Sequence, residues 1–313
     1  MISILFDDVA AKDHFVAIKN IIQDRIANIL SRGINRDNLP VALSAPLRAY
    51  LQSLRSDLEL EKLITARPES FGNIITNLSQ RFPYLSDENF VLYNIFITSC
   101  YEKSKKFSKF SFIQRINRDT CVYCNRNYTY CISSPTGEIK PEIDHFFPKT
   151  IYPFLGMSFY NLIPSCQVCN GFGAKEQRDP LTEGLVNPYL LKTSDFRFTY
   201  KPVSGRILAS LLDKSSIEIQ FVKEIPGHLS VFKLKELYKQ HADHVLELII
   251  KSKVKYAQTY RNYLRRYSEK GLRFSDNEID RMILGNYSTE DDLHKRPLGK
   301  LYWDIGRELG LIK

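Results

Sequence analysis

Two pairs of cysteines are the residues of this sequence with the clearest capacity for chemistry. Cys121 and Cys124 form one Cys-x-x-Cys pair, and Cys166 and Cys169 form another further along the chain. A Cys-x-x-Cys turn directs two thiolates at one point, so two such turns complete a tetrahedral sulfur shell for Zn²⁺. Because all four thiolates would be used, this zinc would be structural and closed to substrate. The alternative, four cysteines that are simply buried, is disfavoured by their spacing.

The polar residues beside these pairs could carry the chemistry that the zinc holds together. Asp144 and His145 are adjacent, Asn161 precedes the second pair, and Asn170 directly follows it. A histidine titrates near neutral pH and can take a proton from water, while a carboxylate is an oxygen ligand that suits Mg²⁺. Each residue also has a structural interpretation: His145 as a core histidine, Asp144 as an ion-pair partner on a strand, and Asn161 as a turn residue.

The order of these residues resembles that of HNH nuclease domains of the zinc-stapled ββα-metal kind. The strings TCVYCN, DHFFP and NLIPSCQVCNGFGAK carry the resemblance, which covers only this central segment. It implies that His145 is the general base and that Asp144 and the amide oxygen of Asn170 hold a catalytic Mg²⁺ or Mn²⁺. It also implies that Asn161 bonds across a hairpin and holds the loop that positions His145. Some members carry His in place of Asn170, so the second cation ligand is a departure from those members.

The resemblance implies a metal-dependent endonuclease that hydrolyses DNA and leaves 5′-phosphate and 3′-hydroxyl ends. Two alternatives stay open: a zinc-stapled nucleic-acid-binding module without catalysis, and a nuclease that cuts RNA such as tRNA. More loosely, the helical flanks and the strings FFPK and NPY resemble HNH subunits of Septu-type and retron-linked anti-phage defence systems. Such subunits work with a partner ATPase of the ABC/SMC kind. The sequence has no Gly-rich P-loop, so control by ATP would come from that partner.

Composition agrees with a polyanionic partner and disfavours a membrane protein. The net charge is +9 and the pI is about 9.1, which is consistent with nucleic-acid binding beside a nuclease motif. No run approaches the ~20 apolar residues that span a bilayer. The start, MISILFDDVAAKDHF, places acids directly after a very short apolar run and is unlike a signal peptide. We therefore predict a cytoplasmic protein whose thiols serve metal.

The elements that must position these residues indicate an α+β protein. We predict a mainly helical chain that carries a central ββα-metal HNH domain with a zinc knuckle of four cysteines. The predicted division is a helical region over residues 1–110, the nuclease domain with its zinc site over 111–190, and a strand pair followed by helices over 191–313. Apolar residues recur at three- and four-residue steps through most of the first region, as on helices with one buried face.

A hairpin is predicted to carry the Asp-His pair. Residues 128–132 have strand composition, 133–137 form a turn signal, and 138–146 would be the returning strand that bears Asp144 and His145. The second zinc knuckle should lead into a short helix.

The last third of the chain has clear local signals. Alternating runs at 196–200 and 217–221 predict a pair of half-buried strands. Ser275 opens a helix with a cap-like start, and residues 297–311 predict a final amphipathic helix.

Two basic stretches and two single lysines could contact phosphates. The first stretch, residues 101–118, has interleaved Phe residues that could stack on bases or pack in the core. The second is a solvated helix face or a second DNA-contacting arm. Lys149 and Lys175 could each contact a phosphate oxygen or be ordinary surface lysines. The basic residues of the stretches are Lys103, Lys105, Lys106, Lys109, Arg115 and Arg118, then Lys251, Lys253, Lys255, Arg261, Arg265 and Arg266.

Overall fold

The computed structural model confirms the α+β class and its mainly helical character. The structure describes residues 1–203, 214–254, 256–267 and 271–312, so Lys255 lies outside the described residues. The helices are α1 (Asp8–Arg32), α2 (Ala45–Ser53), α3 (Asp57–Ile64), α4 (Pro68–Arg81), α5 (Asp87–Tyr93), α6 (Lys109–Ile116), α7 (Gln167–Asn170), α8 (Pro180–Glu183), α9 (Pro226–Val231), α10 (Leu234–Lys239), α11 (Ala242–Lys253), α12 (Tyr256–Arg266), α13 (Asp276–Leu284) and α14 (Gly299–Glu308).

Helix α1 is the long element of the N-terminal region, and its sequence explains why it forms. Asp7 caps its first turn by accepting a hydrogen bond from the backbone nitrogen of Ala10 at 2.8 Å. Ile18, Ile22 and Ile26 are fully buried at steps of one helical turn. This buried stripe packs α1 against the helices that follow, including a π-helical segment, Asn94–Glu102, that continues directly from α5.

The strands within the described residues form four antiparallel pairs. They are β1 (Asn35–Arg36) with β2 (Leu39–Pro40), β3 (Ile132–Ser134) with β4 (Gly137–Ile139), β5 (Glu142–His145) with β6 (Leu162–Ser165), and β7 (Arg197–Pro202) with β8 (Ile217–Lys223). The β7–β8 pair confirms the strands predicted there.

The predicted partner of the strand with Asp144 and His145 was wrong. The turn signal does form a hairpin, β3–β4, but its residues are exposed throughout and offer no apolar face. Strand β5 pairs instead with β6, placing Asp144 opposite Ile163 and His145 opposite Leu162. Both partner residues are fully buried. Strand pairing is strongly specified where one face is buried, so β5 pairs with the buried strand β6 and not with the exposed hairpin.

The C-terminal helices follow their sequence signals and join the same core. Ser275 and Glu278 form a capping box at the start of α13, as the cap-like sequence predicts. Helix α14 lies within the predicted span 297–311. The buried apolar residues of all parts of the described chain form one continuous cluster. The predicted domain boundaries stay a prediction.

The basic stretches are partly used inside the protein. Phe107 and Phe112 of the first stretch are buried, so these rings pack in the core and are not free to stack on bases. In the second stretch, Arg261 forms an ion pair with Asp280 of α13, and Arg265 pairs with Asp276 of the same helix. These two arginines therefore help to hold α12 against α13.

Candidate functional site

The four cysteines lie together as a buried cluster. The sulfur atoms of Cys121, Cys124, Cys166 and Cys169 are all within 4.8 Å of one another, and those of Cys124 and Cys166 are 3.9 Å apart. A tetrahedral shell with Zn–S bonds of about 2.3 Å separates its sulfurs by about 3.8 Å. The cluster is thus already close to the dimensions of a zinc shell and could hold such a metal.

The surroundings of the cluster suit thiolates bound to a cation. The backbone nitrogen of Arg126 donates to the sulfur of Cys124 at 3.4 Å, and the amide of Asn127 donates to the sulfur of Cys166 at 3.2 Å. Donors of this kind stabilise metal-bound sulfur. Burial raises the pKa of the Cys121 thiol well above its ordinary value. A central cation would supply positive charge that favours ionisation of this buried thiol.

The first zinc turn is braced by a segment far along the chain. Asn125 follows Cys124 and has a left-handed backbone, with φ of 50°. Its side-chain oxygen accepts a hydrogen bond from the backbone nitrogen of Lys300 at 2.9 Å, and its side-chain nitrogen donates to the carbonyl of Leu293 at 3.1 Å. Its own carbonyl accepts from the backbone nitrogen of Leu298 at 2.6 Å. The segment from 293 to 300 therefore fixes the turn.

Asp144 is contacted by a residue inside the first zinc turn and by a lysine that is bonded to the second. The hydroxyl of Tyr123, which lies inside the first Cys-x-x-Cys, donates to Asp144 Oδ2 at 2.6 Å. On the other side, Lys175 Nζ is 3.9 Å from Asp144 Oδ1, and the backbone nitrogen of Lys175 donates to the carbonyl of Cys169 at 3.0 Å. The two zinc turns thus converge on this carboxylate.

Lys175 is fully buried, so it is neither an ordinary surface lysine nor free to contact a phosphate oxygen. Its side chain also donates to the carbonyl of Arg178 at 3.0 Å. Burial lowers the pKa of Lys175, with Asp144 acting in the opposite direction. Burial likewise raises the pKa of Asp144, and Lys175 and Tyr123 counteract this. The pair is therefore a buried ion pair that supports Asp144. Sequence reasoning missed Tyr123 altogether, although its place between two cysteines was a usable signal.

We expect Lys175→Met to lower the free energy of unfolding by about 3 kcal/mol, because it leaves Asp144 buried without its counter-charge. Thermal melting with a two-state fit would measure the loss. Lys149→Met is the matched control, since Lys149 forms an exposed ion pair with Glu102 at 3.0 Å. Such a pair contributes about 1 kcal/mol or less. Equal losses in the two variants would contradict the assignment.

His145 is held as a neutral ring with one nitrogen available. Its Nε2 is 3.0 Å from the carbonyl oxygen of Gly156. A carbonyl only accepts, so Nε2 carries the proton and Nδ1 keeps its lone pair. The ring of Tyr101 meets the imidazole edge to face at 4.6 Å between centroids. Burial, reinforced by the charge of Lys149, lowers the pKa of His145 to about 3.

Asn161 ties down the loop that supplies Gly156. Its side-chain oxygen accepts from the backbone nitrogen of Phe147 at 2.7 Å, and its amide donates to the carbonyls of Phe147 at 3.2 Å and Leu155 at 3.0 Å. The bonds join the two ends of the loop that follows His145. The role of Asn161 in catalysis stays a prediction.

Asn170 has its amide oriented by a carboxylate. Its Nδ2 donates to Glu142 Oε2 at 2.7 Å. A carboxylate only accepts, so this bond fixes which end of the amide is nitrogen and leaves Oδ1 as the end that could bind a cation. Glu142 was not predicted from the sequence. It lies two residues before Asp144 on β5, and the period of a strand could have placed both on one face.

One cavity brings together three of the predicted site residues. Asp144, His145 and Asn170 line a cavity of about 250 Å³, and Lys149 also lines it. A neighbouring cavity of about 280 Å³ shares Asn170 and is lined by Lys109 and Lys140 among others. Asn161 lies behind the first cavity rather than in its lining, where it holds the loop. Glu142 and Glu176 also line these cavities, so both basic and acidic side chains face them.

Comparison with known proteins finds a distant similarity. The chain is 28% identical over 120 residues to the Septu protein PtuB of Bacillus thuringiensis. The match covers 36% of this chain and 43% of that relative, so it spans less than half the length of the curated protein. No family model matches the chain, and no solved structure matches it. Among the described residues, no helix is both long and apolar enough to cross a bilayer.

Proposed function

We propose that this protein is a metal-dependent endonuclease of the HNH kind that hydrolyses phosphodiester bonds of DNA. The observation that carries the proposal is the shared cavity, in which Asp144, His145 and Asn170 meet next to a cluster that could hold zinc. Water activation, cation binding and substrate entry would then take place in one small space. A pure binding module would have no need of the adjacent Asp144 and His145 in one cavity.

His145 is the general base of the proposed reaction. Its Nδ1 lone pair would take the proton of the attacking water, while the bond from Nε2 to the Gly156 carbonyl holds the ring and stabilises the charge that it gains. The low pKa of His145 in the protein without DNA reflects burial of the ring and the charge of nearby lysines. We expect substrate phosphates to offset those lysines and make the ring more basic as DNA binds.

The cation of the proposed site would be Mg²⁺ or Mn²⁺. Asp144 and the amide oxygen of Asn170 are hard oxygen ligands, and together they fit such an ion while leaving positions for water and phosphate. When bound, it supplies charge stabilisation for the phosphorane and for the leaving 3′-oxygen. Zn²⁺ at the four cysteines would be structural, and it would act by fixing Tyr123 and Lys175 around Asp144.

The similarity to a Septu protein supports a role in anti-phage defence. We propose that the chain is the nuclease effector of such a system and works in the cytoplasm with a partner ATPase of the ABC/SMC kind. The printed sequence carries no P-loop of its own. ATP would then control cleavage through the partner, and the nuclease alone would cut more slowly than the complex.

Plasmid cleavage by the purified protein tests the proposal. We expect nicking or linearisation of supercoiled DNA with Mg²⁺ and none when Mg²⁺ is omitted, with zinc content measured in both samples. Ends that accept a ligase directly would show the 5′-phosphate and 3′-hydroxyl termini. If tRNA were cut and DNA were not, the RNA alternative would hold. DNA binding without cleavage, even with the co-purified ATPase, would favour the binding module.

A further inference from the structure

The second zinc turn displays a phenyl ring that the protein does not cover. Phe172 is 96% exposed, and the next most exposed large apolar side chain in the part of the chain that the structure describes, Val9, is 71% exposed. Most apolar side chains of this size lose water contact on folding. A ring left almost wholly in water is available to a partner that covers it.

The exposure of Phe172 is imposed by a fixed backbone. The backbone nitrogen of Gly171 donates to the carbonyl of Gln167 at 2.8 Å, and that of Ala174 donates to the carbonyl of Gly171 at 3.2 Å. A Cβ at Gly171 would lie 2.6 Å from that carbonyl of Gln167, and Gly173 has φ of +82°. Both glycines are thus required by the turn. The chain holds the ring outward from a turn that is anchored at the cysteine cluster.

Basic side chains lie near the turn that carries Phe172. Asn170, two residues earlier, lines both cavities of the candidate site, together with Lys109, Lys140 and Lys149. Lys233 Nζ lies 3.9 Å from the position that a Cβ on Gly173 would take. Cations that follow a phosphate backbone beside an exposed aromatic ring are the usual combination for single-stranded or distorted nucleic acid.

We propose that Phe172 stacks on a base of the DNA strand next to the bond that is cut. This inference rests on the proposed nuclease function and adds a residue that holds the substrate without touching the reacting atoms. A stacked or partly inserted ring would fix the register of the strand relative to Asn170. Stacking of this kind changes affinity by about 5- to 150-fold on truncation to alanine.

Binding measurements on the full-length protein test the proposal without cleavage. In a His145→Ala background, anisotropy of a labelled DNA duplex would give the dissociation constant. We expect Phe172→Ala to weaken binding at least fivefold and Phe172→Trp to keep it within twofold, since tryptophan also stacks. Val168→Ala is the matched control, because Val168 is 54% exposed on the same turn. It should change affinity less than twofold.

Photo-cross-linking identifies what covers the ring. We expect p-benzoylphenylalanine at position 172 to cross-link to DNA in the same complex. When DNA and RNA are both present, the cross-linked product should contain mainly DNA. Equal affinity of Phe172→Ala and the parent protein, or cross-links to RNA or protein alone, would overturn the stacking role. DNA that the wild-type protein binds but does not cleave, with Mg²⁺ and the partner ATPase present, would instead overturn the proposed function. Absence of any DNA binding would overturn both.

Discussion

We expect His145→Ala to slow Mg²⁺-dependent plasmid cleavage by about 10²- to 10⁴-fold, the range that a general base contributes. The substitution removes the Nδ1 lone pair that would accept the proton of water. It leaves Asp144 and Asn170 in place, so cation binding should persist. Single-turnover cleavage rates under saturating protein would measure the loss separately from DNA affinity. The melting temperature and zinc content of the variant should be recorded beside them.

His14 provides a matched control for the loss of a buried imidazole. It is also buried, its Nε2 is 2.9 Å from the carbonyl of Met157, the residue after Gly156, and burial lowers its pKa to about 4. The two histidines therefore anchor neighbouring peptide groups of one loop. If His145 served only as an anchor, His14→Ala and His145→Ala would slow cleavage alike. We expect less than a tenfold loss for His14→Ala.

The second large effect is expected for Cys169→Ser. Removal of one of four thiolates should lower zinc content from one ion per chain to a small fraction. Structural zinc contributes apparent free energies of about 10–16 kcal/mol in small metal-folded peptides, so the melting temperature should fall strongly. Cleavage should be lost too, because Tyr123 and Lys175 reach Asp144 from the two zinc turns. Metal analysis, thermal melting and plasmid cleavage on one preparation would measure all three.

Cys131→Ser is the control for this experiment. Cys131 is half-buried and donates to the carbonyl of Phe110 at 3.6 Å, outside the cluster of four cysteines. We expect zinc content and cleavage close to those of the parent protein. Full zinc occupancy in Cys169→Ser, with unchanged melting, would show that the cluster does not serve as a zinc site.

Sequence reasoning was most successful where the signal is local. The cysteine cluster follows from two short spacings, and the cap of α13 follows from four consecutive residues. The strand pair β7–β8 follows from alternation within each run. These features depend on neighbours in the sequence, so one sequence is enough to predict them.

The supporting residues of the site could not be predicted in the same way. Gly156 contributes only a backbone carbonyl, which any residue type has. The sequence predicts a phosphate contact or a surface position for Lys175, whereas its burial depends on packing between separate elements. The pairing of β5 with β6 depends on which distant strand offers buried apolar residues, and a turn signal cannot show this.

The brace on Asn125 has a consequence for the synthesis of the protein. The groups that fix this residue, at Leu293 and Lys300, lie 168 and 175 positions further along the chain. Chains emerge from the ribosome with the N-terminal part first. A nascent chain therefore displays the complete motif from Cys121 to Lys175 well before the first zinc turn can be fixed. Ribosomes that stall or terminate early in this interval would release chains without the brace.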